Sequence, residues 1–133
     1  MTAKQVLVVC AVLCGYCFPA RAHRTATEPP HDPIVRLAEL EIDPAQLDNY
    51  KAALKEEIAT SVRVEPGVLK LYAVSVKDHP NQIRMFEMYK DQASYQAHLK
   101  TSHFKQYKAK TQKMVRALTL IETEPILLGS QSR

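Results

Sequence analysis

Apolar and polar residues alternate in the second half of residues 34–42, and the period then lengthens to that of a helix. Leu40 and Ile42 alternate with Glu39 and Glu41, which predicts a β-strand with one apolar face. Beyond residue 43, apolar residues recur at steps of three and four, which predicts a helix with one apolar face. That face consists of Leu47, Tyr50, Leu54, Ile58 and Val62.

Both ends of this helix are marked by residues with strong local preferences. Asp43 can cap the first turn with its carboxylate, and Pro44 suits the first helical position. Pro66 and Gly67 end the helix, because proline lacks a backbone N–H and glycine permits a reversed backbone. The sequence therefore predicts a helix that ends before residue 66.

Two more strands follow as a predicted hairpin. The segment Val68–Lys77 has apolar residues on both faces, which indicates that both faces are covered. We assign one face to Val68, Tyr72, Val74 and Val76, and the other to Leu69, Leu71 and Ala73. A turn at residues 78–81 leads into a third strand at residues 82–90.

The C-terminal half adds two short helices and a last strand. Asp91 and Thr101 are predicted N-caps, and each opens a helix. A fourth strand at 115–122 is rich in β-branched residues, and an apolar tail at 126–128 follows it. The order β-α-β-β-α-β predicts an α+β, ferredoxin-like domain over residues 34–128, with a four-stranded antiparallel sheet and two helices on one face.

The predicted sheet has a second apolar face that these helices leave open. A second copy of the same sheet is the simplest cover for such a face, because apolar layers must pack against another layer. We therefore expect a homodimer in which two sheets pack face to face and form an α/β barrel.

The first 22 residues have the pattern of a secretory signal peptide. Lys4 precedes Val6–Phe18, thirteen residues that are almost wholly apolar, and Ala20-Arg21-Ala22 fits a small-x-small cleavage site. The run is shorter than the roughly 20 residues of a transmembrane helix, although an uncleaved anchor is an alternative. We expect cleavage after residue 22, export to the periplasm or medium, a flexible linker at 23–33, and no stable membrane insertion of the mature chain.

All three cysteines lie inside the predicted signal, at Cys10, Cys14 and Cys17. A lipid-modified cysteine is the alternative to simple cleavage, but the residues just before Cys14 and Cys17 are not the small ones usual at a lipoprotein cleavage site. After cleavage at residue 22 the mature chain would contain no cysteine. That would exclude disulfides, thiolate nucleophiles and sulfur-ligated metals.

The charge balance does not indicate a macromolecular partner. The chain carries 18 basic and 14 acidic residues, for a net charge of +4. One basic cluster lies near the C-terminus, at Lys105, Lys108, Lys110, Lys113 and Arg116. It is interleaved with one aromatic residue, Tyr107, so we interpret it as a solvated helix face and expect no nucleic-acid partner.

The sequence contains no familiar catalytic signature. With three glycines in the chain there is no glycine-rich phosphate loop, and neither Gly-x-Ser-x-Gly nor His-Glu-x-x-His occurs. This pattern argues against a nucleotide cofactor. His98 and His103 are five residues apart across the helix break at Thr101, which is not a metal-ligand spacing on one helix face. We therefore expect no metal.

Three polar side chains are candidates for catalysis. His98, on the first short helix, could take or relay a proton at neutral pH, or could have a structural hydrogen bond instead. Glu87 and Tyr89 point to the same side of the third strand, where a buried carboxylate needs a partner. That partner could be the histidine, a substrate hydroxyl, or a structural cation at Arg84 or Arg36.

Apolar and aromatic residues near these candidates could line a pocket for a flat apolar ligand. We name four residues as candidate substrate contacts: Tyr72, Met85, His103 and Phe104. Phe86 and Met88 could add to the same lining, although such residues are also common in plain cores. His103 could alternatively fix the first turn of its helix.

Several of these residues lie in segments that together resemble a known family. The segments are Glu65-Pro66-Gly67, Phe86-Glu87-Met88-Tyr89-Lys90-Asp91, His98-Leu99 and Thr101-Ser102-His103-Phe104. They resemble the antibiotic biosynthesis monooxygenase (ABM) domain, a dimeric ferredoxin-like α/β barrel, over roughly residues 34–122. In that family, a histidine at the place of His98 often faces the pocket between helix and sheet.

The resemblance implies a choice among several activities. One branch oxidises quinols, polyphenols or anthrones with dioxygen and no bound cofactor, which here implies His98 as base or relay and Glu87 and Tyr89 as orienting groups. A haem-degrading branch needs a tryptophan that this chain lacks. A third branch isomerises a phosphorylated hydroxy-dione, a cytoplasmic metabolite that an exported chain would not meet. A non-catalytic, dimeric small-molecule-binding module is the alternative from another class.

Overall fold

The computed structural model describes residues 33–129 as one α+β unit. The elements are β1 (Ile34–Ile42), α1 (Leu47–Val64), β2 (Val68–Val76), β3 (His79–Tyr89), α2 (Gln92–His98), α3 (Ser102–Thr111) and β4 (Val115–Thr123). A 3₁₀ turn, Pro44–Gln46, precedes α1. The expected signal peptide at 1–22, and all but the last residue of the expected linker at 23–33, lie outside the described residues.

The four strands form one antiparallel sheet in the order β2-β3-β1-β4. The helix-facing side of β1 and β3 forms the main core with α1, through Ala38, Leu40, Ile42, Tyr50, Leu54 and Ile83. From α3, Tyr107 packs against this core. The predicted ferredoxin-like fold is confirmed.

The second strand departs from the predicted alternation at its start. Val68 pairs with Tyr89 and Lys70 pairs with Met88, with a register shift between them. This bulge puts Val68 on the helix-facing side with Leu71, where both are buried. The assignment of Val68 to the face of Tyr72 was therefore wrong, because one extra residue reverses the period-two pattern.

The hairpin turn is tighter than the sequence suggested. Strand β3 begins at His79, so only Lys77 and Asp78 separate it from β2. Asp78 has a φ of 67°, in the left-handed region that Asp tolerates better than most residues. A register shift follows Ser75, and Pro80 is accommodated in the irregular part of the ladder. The predicted start of the third strand at residue 82 was three residues late.

The buried stripe of α1 ends on polar residues. Tyr50 and Leu54 are buried as predicted, but Val62 is 50% exposed. Glu57 and Ser61 are buried in its place, at 6% and 0% exposure. The stripe steps through positions 50, 54, 57 and 61, so the last two turns of the helix present polar groups to the interior.

Gly67 brings the start of α2 against the turn after α1. A Cβ at this position would overlap the side chain of Ser94, so the site needs glycine for close approach. Its φ is not positive, in contrast to the reversed backbone that we expected. The Gly67 carbonyl accepts a 2.9 Å hydrogen bond from the Lys90 amide. This packing places Glu65 close to the end of α2.

The other face of the sheet is apolar and open in the monomer. Its exposed residues include Tyr72 and Val74, at 57% and 61% exposure. The strand register places Leu37, Phe86 and Ile121 on the same side. Among the described residues, no helix has the length and apolar character needed to span a membrane.

Candidate active site

A cavity of about 110 Å³ lies between the sheet and the helices. Most of its wall is apolar, and includes Ala38, Leu40, Leu54, Ile58, Leu71, Met85 and Phe104. Leu118 and Leu120 of β4 also line it, yet they are 42% and 54% exposed. The cavity therefore opens towards this edge strand.

His98 is the last residue of α2 and forms part of the cavity wall. Asp91 caps this helix by accepting a 2.7 Å hydrogen bond from the Ser94 amide. His98 is 4% exposed, and its ring packs 4.6 Å from the Phe104 ring, centroid to centroid. Its Nδ1 lies 2.9 Å from Glu65 Oε1. When Nδ1 donates to this carboxylate, Nε2 is left as the basic nitrogen of the neutral ring.

A second histidine–glutamate pair adjoins the first. His103 Nδ1 lies 3.0 and 3.1 Å from the two carboxylate oxygens of Glu57. The Ser61 hydroxyl donates a 3.1 Å hydrogen bond to the same carboxylate. His103 Nε2 is 3.2 Å from Glu65 Oε1, the oxygen that also contacts His98. The Glu65 carboxylate therefore contacts both histidines.

The junction between α2 and α3 fixes the relative positions of the two histidines. Thr101 caps α3 by accepting a hydrogen bond from the Phe104 amide. Its hydroxyl also donates a 2.8 Å hydrogen bond to the His98 carbonyl. One threonine thus joins the end of the His98 helix to the start of the His103 helix.

Glu87 and Tyr89 project from β3 into the cavity wall. The Tyr89 hydroxyl donates a 3.2 Å hydrogen bond to Glu87 Oε2. Burial raises the pKa of Glu87 above its usual range, although the Tyr89 hydroxyl and the neighbouring His98 and Arg36 act in the opposite direction. Burial, together with the Glu87 charge, also raises the pKa of Tyr89. Tyr89 is therefore a hydrogen-bond donor at neutral pH.

The raised pKa of Glu87 predicts a pH-dependent stability effect of Glu87→Gln. The folded protein holds the Glu87 proton to higher pH than the unfolded chain does. The stabilising contribution of this group is thus complete below its unfolded pKa and is lost as pH rises through the folded pKa. Glutamine does not titrate, so it has no such loss. The free energy of unfolding of the variant minus that of the parent should therefore be larger at about pH 8 than at about pH 4. Urea unfolding at both pH values measures this gain, and an identical difference at the two would contradict it.

Arg36 brings a fixed positive charge to the cavity wall. Its guanidinium carbon lies 4.4 Å from the centroid of the Tyr95 ring. Its Nη1 is 3.0 Å from Glu122 Oε1. In this ion pair the Arg36 side chain is 11% exposed and the Glu122 side chain is 84% exposed. Stacking and pairing together hold this cation beside Glu87, which it helps to keep ionised.

A tyrosine pair closes the far part of the cavity. The hydroxyls of Tyr50 and Tyr107 are 2.7 Å apart, and Tyr107 lines the cavity. Burial raises the pKa of Tyr50 and of Tyr107. Both phenols are therefore neutral near pH 7, and Tyr107 brings no charge to the cavity wall.

The structure brings together most, but not all, of the candidate residues. His98, Glu87, Tyr89, Met85 and Phe104 line the cavity. Tyr72 lies on the opposite face of the sheet, as its pairing partner Phe86 does, and Met88 shares that face. His103 lies behind His98 and does not line the cavity. The cation near Glu87 is Arg36, whereas Arg84 pairs with Glu39 on the other face.

Sequence reasoning missed both glutamate partners of the histidines. Glu57 interrupts the apolar stripe of α1 three residues after Leu54, and a polar residue in a buried stripe is a signal that could have been used. Glu65 directly precedes the helix-ending Pro66 and gave no such signal. Among residues 33–129, no group of three or more His, Cys, Asp or Glu side chains could hold a metal ion.

The fold and this cavity define a class of protein, a ferredoxin-like domain with a partly polar pocket under its helices. The sequence profile of the antibiotic biosynthesis monooxygenase (ABM) family matches residues 33–110. The chain therefore belongs to the ABM family. A Bacteroides thetaiotaomicron protein with the provisional description antibiotic biosynthesis monooxygenase is 48% identical, with a TM-score of 0.73 over 76% of this chain and 96% of that one.

Two further solved structures are similar at lower identity. A Lactobacillus acidophilus protein, provisionally described as a monooxygenase, is 31% identical with a TM-score of 0.65. That match covers 66% of this chain and 42% of the Lactobacillus protein. A Caulobacter crescentus protein is 20% identical with a TM-score of 0.68 over 71% of this chain and 91% of that one, which shows the fold alone. No curated protein matches.

Proposed function

We propose that this ABM-family domain is a monooxygenase that oxidises a quinol-like small molecule in the helix–sheet cavity, with no bound cofactor. The observation that carries the proposal is the His98–Glu65 pair, with Nδ1 2.9 Å from Oε1, at the wall of an apolar cavity. A carboxylate on Nδ1 orients the ring and stabilises the imidazolium that forms when Nε2 takes a proton.

The reaction begins with proton transfer from a substrate hydroxyl to His98 Nε2. The resulting phenolate is electron-rich and can pass an electron to dioxygen. The two radicals then combine to form a carbon–oxygen bond, and the resulting peroxide anion takes the proton from His98 Nε2 to give a hydroperoxide at a ring carbon. Loss of the ring hydrogen from that carbon, with cleavage of the oxygen–oxygen bond, leaves a new carbonyl and releases water.

The atoms and electrons of this reaction balance without a further reductant. A quinol plus O₂ gives a hydroxyquinone plus one water, so the substrate loses two hydrogens and gains one oxygen. The substrate gives up four electrons and dioxygen takes up four. The protein therefore has to supply a base, an orientation and a pocket that excludes bulk water.

The remaining polar groups of the cavity suit the orientation of such a substrate. Glu87 can accept a hydrogen bond from a second hydroxyl, and Tyr89 holds Glu87 in place from the same strand. Arg36 provides a positive charge for the phenolate. Met85 and Phe104 provide apolar contacts for the ring face. We therefore assign the catalytic roles to His98, Glu87 and Tyr89.

The cavity volume favours a single aromatic ring. An apolar protein cavity of about 150 Å³ accommodates one benzene molecule. The cavity here is smaller, at about 110 Å³, so one ring is the most it holds, with part of that ring and its substituents in the opening at Leu118 and Leu120. A substituted one-ring quinol is therefore the substrate class that fits best.

Oxygen uptake by the purified protein tests the proposal. We expect consumption of one O₂ per quinol for one-ring quinols, without added flavin, haem or metal. The rate must exceed autoxidation in the same buffer and saturate with quinol concentration. Saturable quinol binding with no oxygen uptake would contradict the monooxygenase and favour the non-catalytic binding module. Activity that needs added flavin or haem would contradict the absence of a cofactor.

The same proposal includes a homodimer in which the open sheet faces pack together. The exposed face is apolar and carries one ion pair, Arg84 Nε to Glu39 Oε1 at 3.3 Å. A two-fold axis near this pair would bring each arginine towards the partner's carboxylate, which makes the face complementary to itself. Sedimentation at micromolar concentration should give twice the monomer mass, and a well-folded monomer would contradict the dimer.

Export of the mature chain is also part of the proposal, and it rests on the apolar run Val6–Phe18 and the Ala20-Arg21-Ala22 site. Mass spectrometry of the protein from its native host should find His23 as the first residue. Recovery of a chain that begins at Met1 in the cytosol would contradict export and would favour the hydroxy-dione isomerase, whose substrate is cytoplasmic.

A further inference from the structure

Four titratable side chains form a continuous series from the cavity to the surface. The series begins with His98 at the cavity wall and continues through Glu65 and His103 to Glu57. The His98 Nδ1–Glu65 Oε1 distance is 2.9 Å, and the Glu65 Oε1–His103 Nε2 distance is 3.2 Å. His103 Nδ1 is 3.0 Å from Glu57 Oε1. Each distance between neighbouring groups is thus within reach of a proton transfer after small side-chain motions.

The outer end of the series lies in a polar groove between α1 and α3. The groove has a volume of about 200 Å³. Glu57 and His103 line it together with Glu56, Thr60, Gln106 and Lys110. The His103 side chain is 21% exposed, whereas that of His98 is 5% exposed. Of the two histidines, His103 is therefore the one that water in this groove reaches.

One atom in the middle of the series lacks a hydrogen bond. His103 Nε2 is buried and has no hydrogen-bond partner, although Glu65 Oε1 is 3.2 Å away, because the two groups are not aligned. A buried polar atom without a partner is costly, so its retention points to a use. A small rotation of the Glu65 carboxylate would align the pair. An imidazole can then accept a proton on one ring nitrogen and release one from the other.

We propose that Glu65 and His103 relay protons between His98 and this groove, and that Glu57 positions the His103 ring. The inference rests on the proposed function, because the substrate is the source of the proton. Two protons leave the quinol, one from a hydroxyl and one from the oxygenated ring carbon. His98 Nε2 holds one proton at a time, so it must give the first to the peroxide before it takes the second, and a relay at Nδ1 keeps the buried ring neutral at each stage.

Each step of the relay moves one proton and no electrons. His98 Nε2 takes the substrate proton while its Nδ1 proton passes to Glu65. Glu65 protonates His103 Nε2, and the Nδ1 proton of His103 leaves through Glu57 to water in the groove. When the peroxide takes the Nε2 proton, the return path restores the Nδ1 proton, which leaves Nε2 free to take the proton of the oxygenated ring carbon. Glu65 and His103 are relay residues that do not touch the substrate.

His103→Ala and His103→Gln test the relay by kinetics. We expect the turnover rate to fall roughly 10-fold or more in both, because proton transfer from His98 becomes slow. In His103→Ala, imidazole can enter the vacated space at the groove, so the rate should rise with imidazole concentration towards that of the parent. The parent and the Lys105→Ala control, an exposed position on α3, should show no such rise. A rate loss that imidazole does not restore, or no rate loss, would overturn the relay.

A measurement without substrate separates failure of the relay from failure of the proposed function. The Nδ1 proton of His98 is buried, so the relay is its route to water. Nitrogen-edited NMR should show slower solvent exchange of this proton in His103→Gln than in the parent, by roughly 10-fold or more. Unchanged exchange would overturn the relay even if the protein oxidises quinols. Slowed exchange in a protein without oxidase activity would support the relay and contradict the proposed reaction.

Discussion

Replacement of His98 by glutamine is expected to lower the quinol oxidation rate by roughly 10²–10⁴, the usual contribution of a positioned base. Glutamine can still donate a hydrogen bond to Glu65, so the buried carboxylate keeps its partner. It has no basic nitrogen, and proton removal from the substrate is therefore left to water. Initial rates of oxygen uptake, divided by the folded fraction from circular dichroism, measure the effect.

His98→Ala complements this variant. Alanine removes both the base and the partner of Glu65, so we expect the same fall in rate together with a stability loss of about 1–3 kcal/mol. His79→Gln is the matched control, because His79 is exposed at the start of β3 and distant in the sequence from every cavity residue of α2 and α3. An unchanged rate per folded His98→Gln protein would rule out His98 as the base.

Leu54→Ala should give the largest loss of stability among the predicted variants, about 2–5 kcal/mol. Leu54 is 4% exposed and belongs to the main core, so truncation removes buried apolar contacts and leaves a cavity. The side chain also separates the helix–sheet cavity from a second hollow between α1 and β2. Its loss should therefore enlarge the space for ligand, and two-ring quinols should gain in rate relative to one-ring quinols.

Val62→Ala provides the control on the same helix. Val62 belongs to the apolar stripe predicted from the sequence, but it is 50% exposed, so its truncation should change stability by no more than about 0.5 kcal/mol. Urea unfolding of both variants at one protein concentration gives the comparison, because the stability of the proposed dimer would depend on concentration. Equal losses in the two variants would contradict the burial pattern of α1.

The fold could be predicted from the sequence because its signals are local. The alternation before Asp43, the caps at Asp91 and Thr101, and the stop at Pro66 each depend on residues within one or two turns. The assignment of side chains to faces was wrong where the hydrophobic period of the sequence did not match the burial in the structure. A bulge between Val68 and Lys70 moved Val68 to the face of Leu71, and the buried stripe of α1 turned towards Glu57 instead of Val62. A hydrophobic period assigned from one sequence shows neither the bulge in β2 nor the change of the buried stripe in α1.

Part of the candidate site could also be predicted. Glu87 and Tyr89 are two residues apart on a strand, so they necessarily share a face, and the structure joins them with a hydrogen bond. Met85 lies on that face for the same reason. Tyr72 does not line the cavity, because its position in the ladder, opposite Phe86, puts it on the other face. Strand register is a property of the sheet and not of one strand.

The sequence by itself determined the order of elements, the helix caps, the family resemblance and the face on which Glu87 and Tyr89 lie. The tertiary structure alone decided which carboxylates hold the histidines. Glu65 and His98 are 33 residues apart, and Glu57 and His103 are 46 apart. These pairs form because Gly67 lets α2 approach the end of α1 and Thr101 joins α2 to α3. Contacts of this kind depend on how whole elements pack, and no local pattern in the chain encodes them.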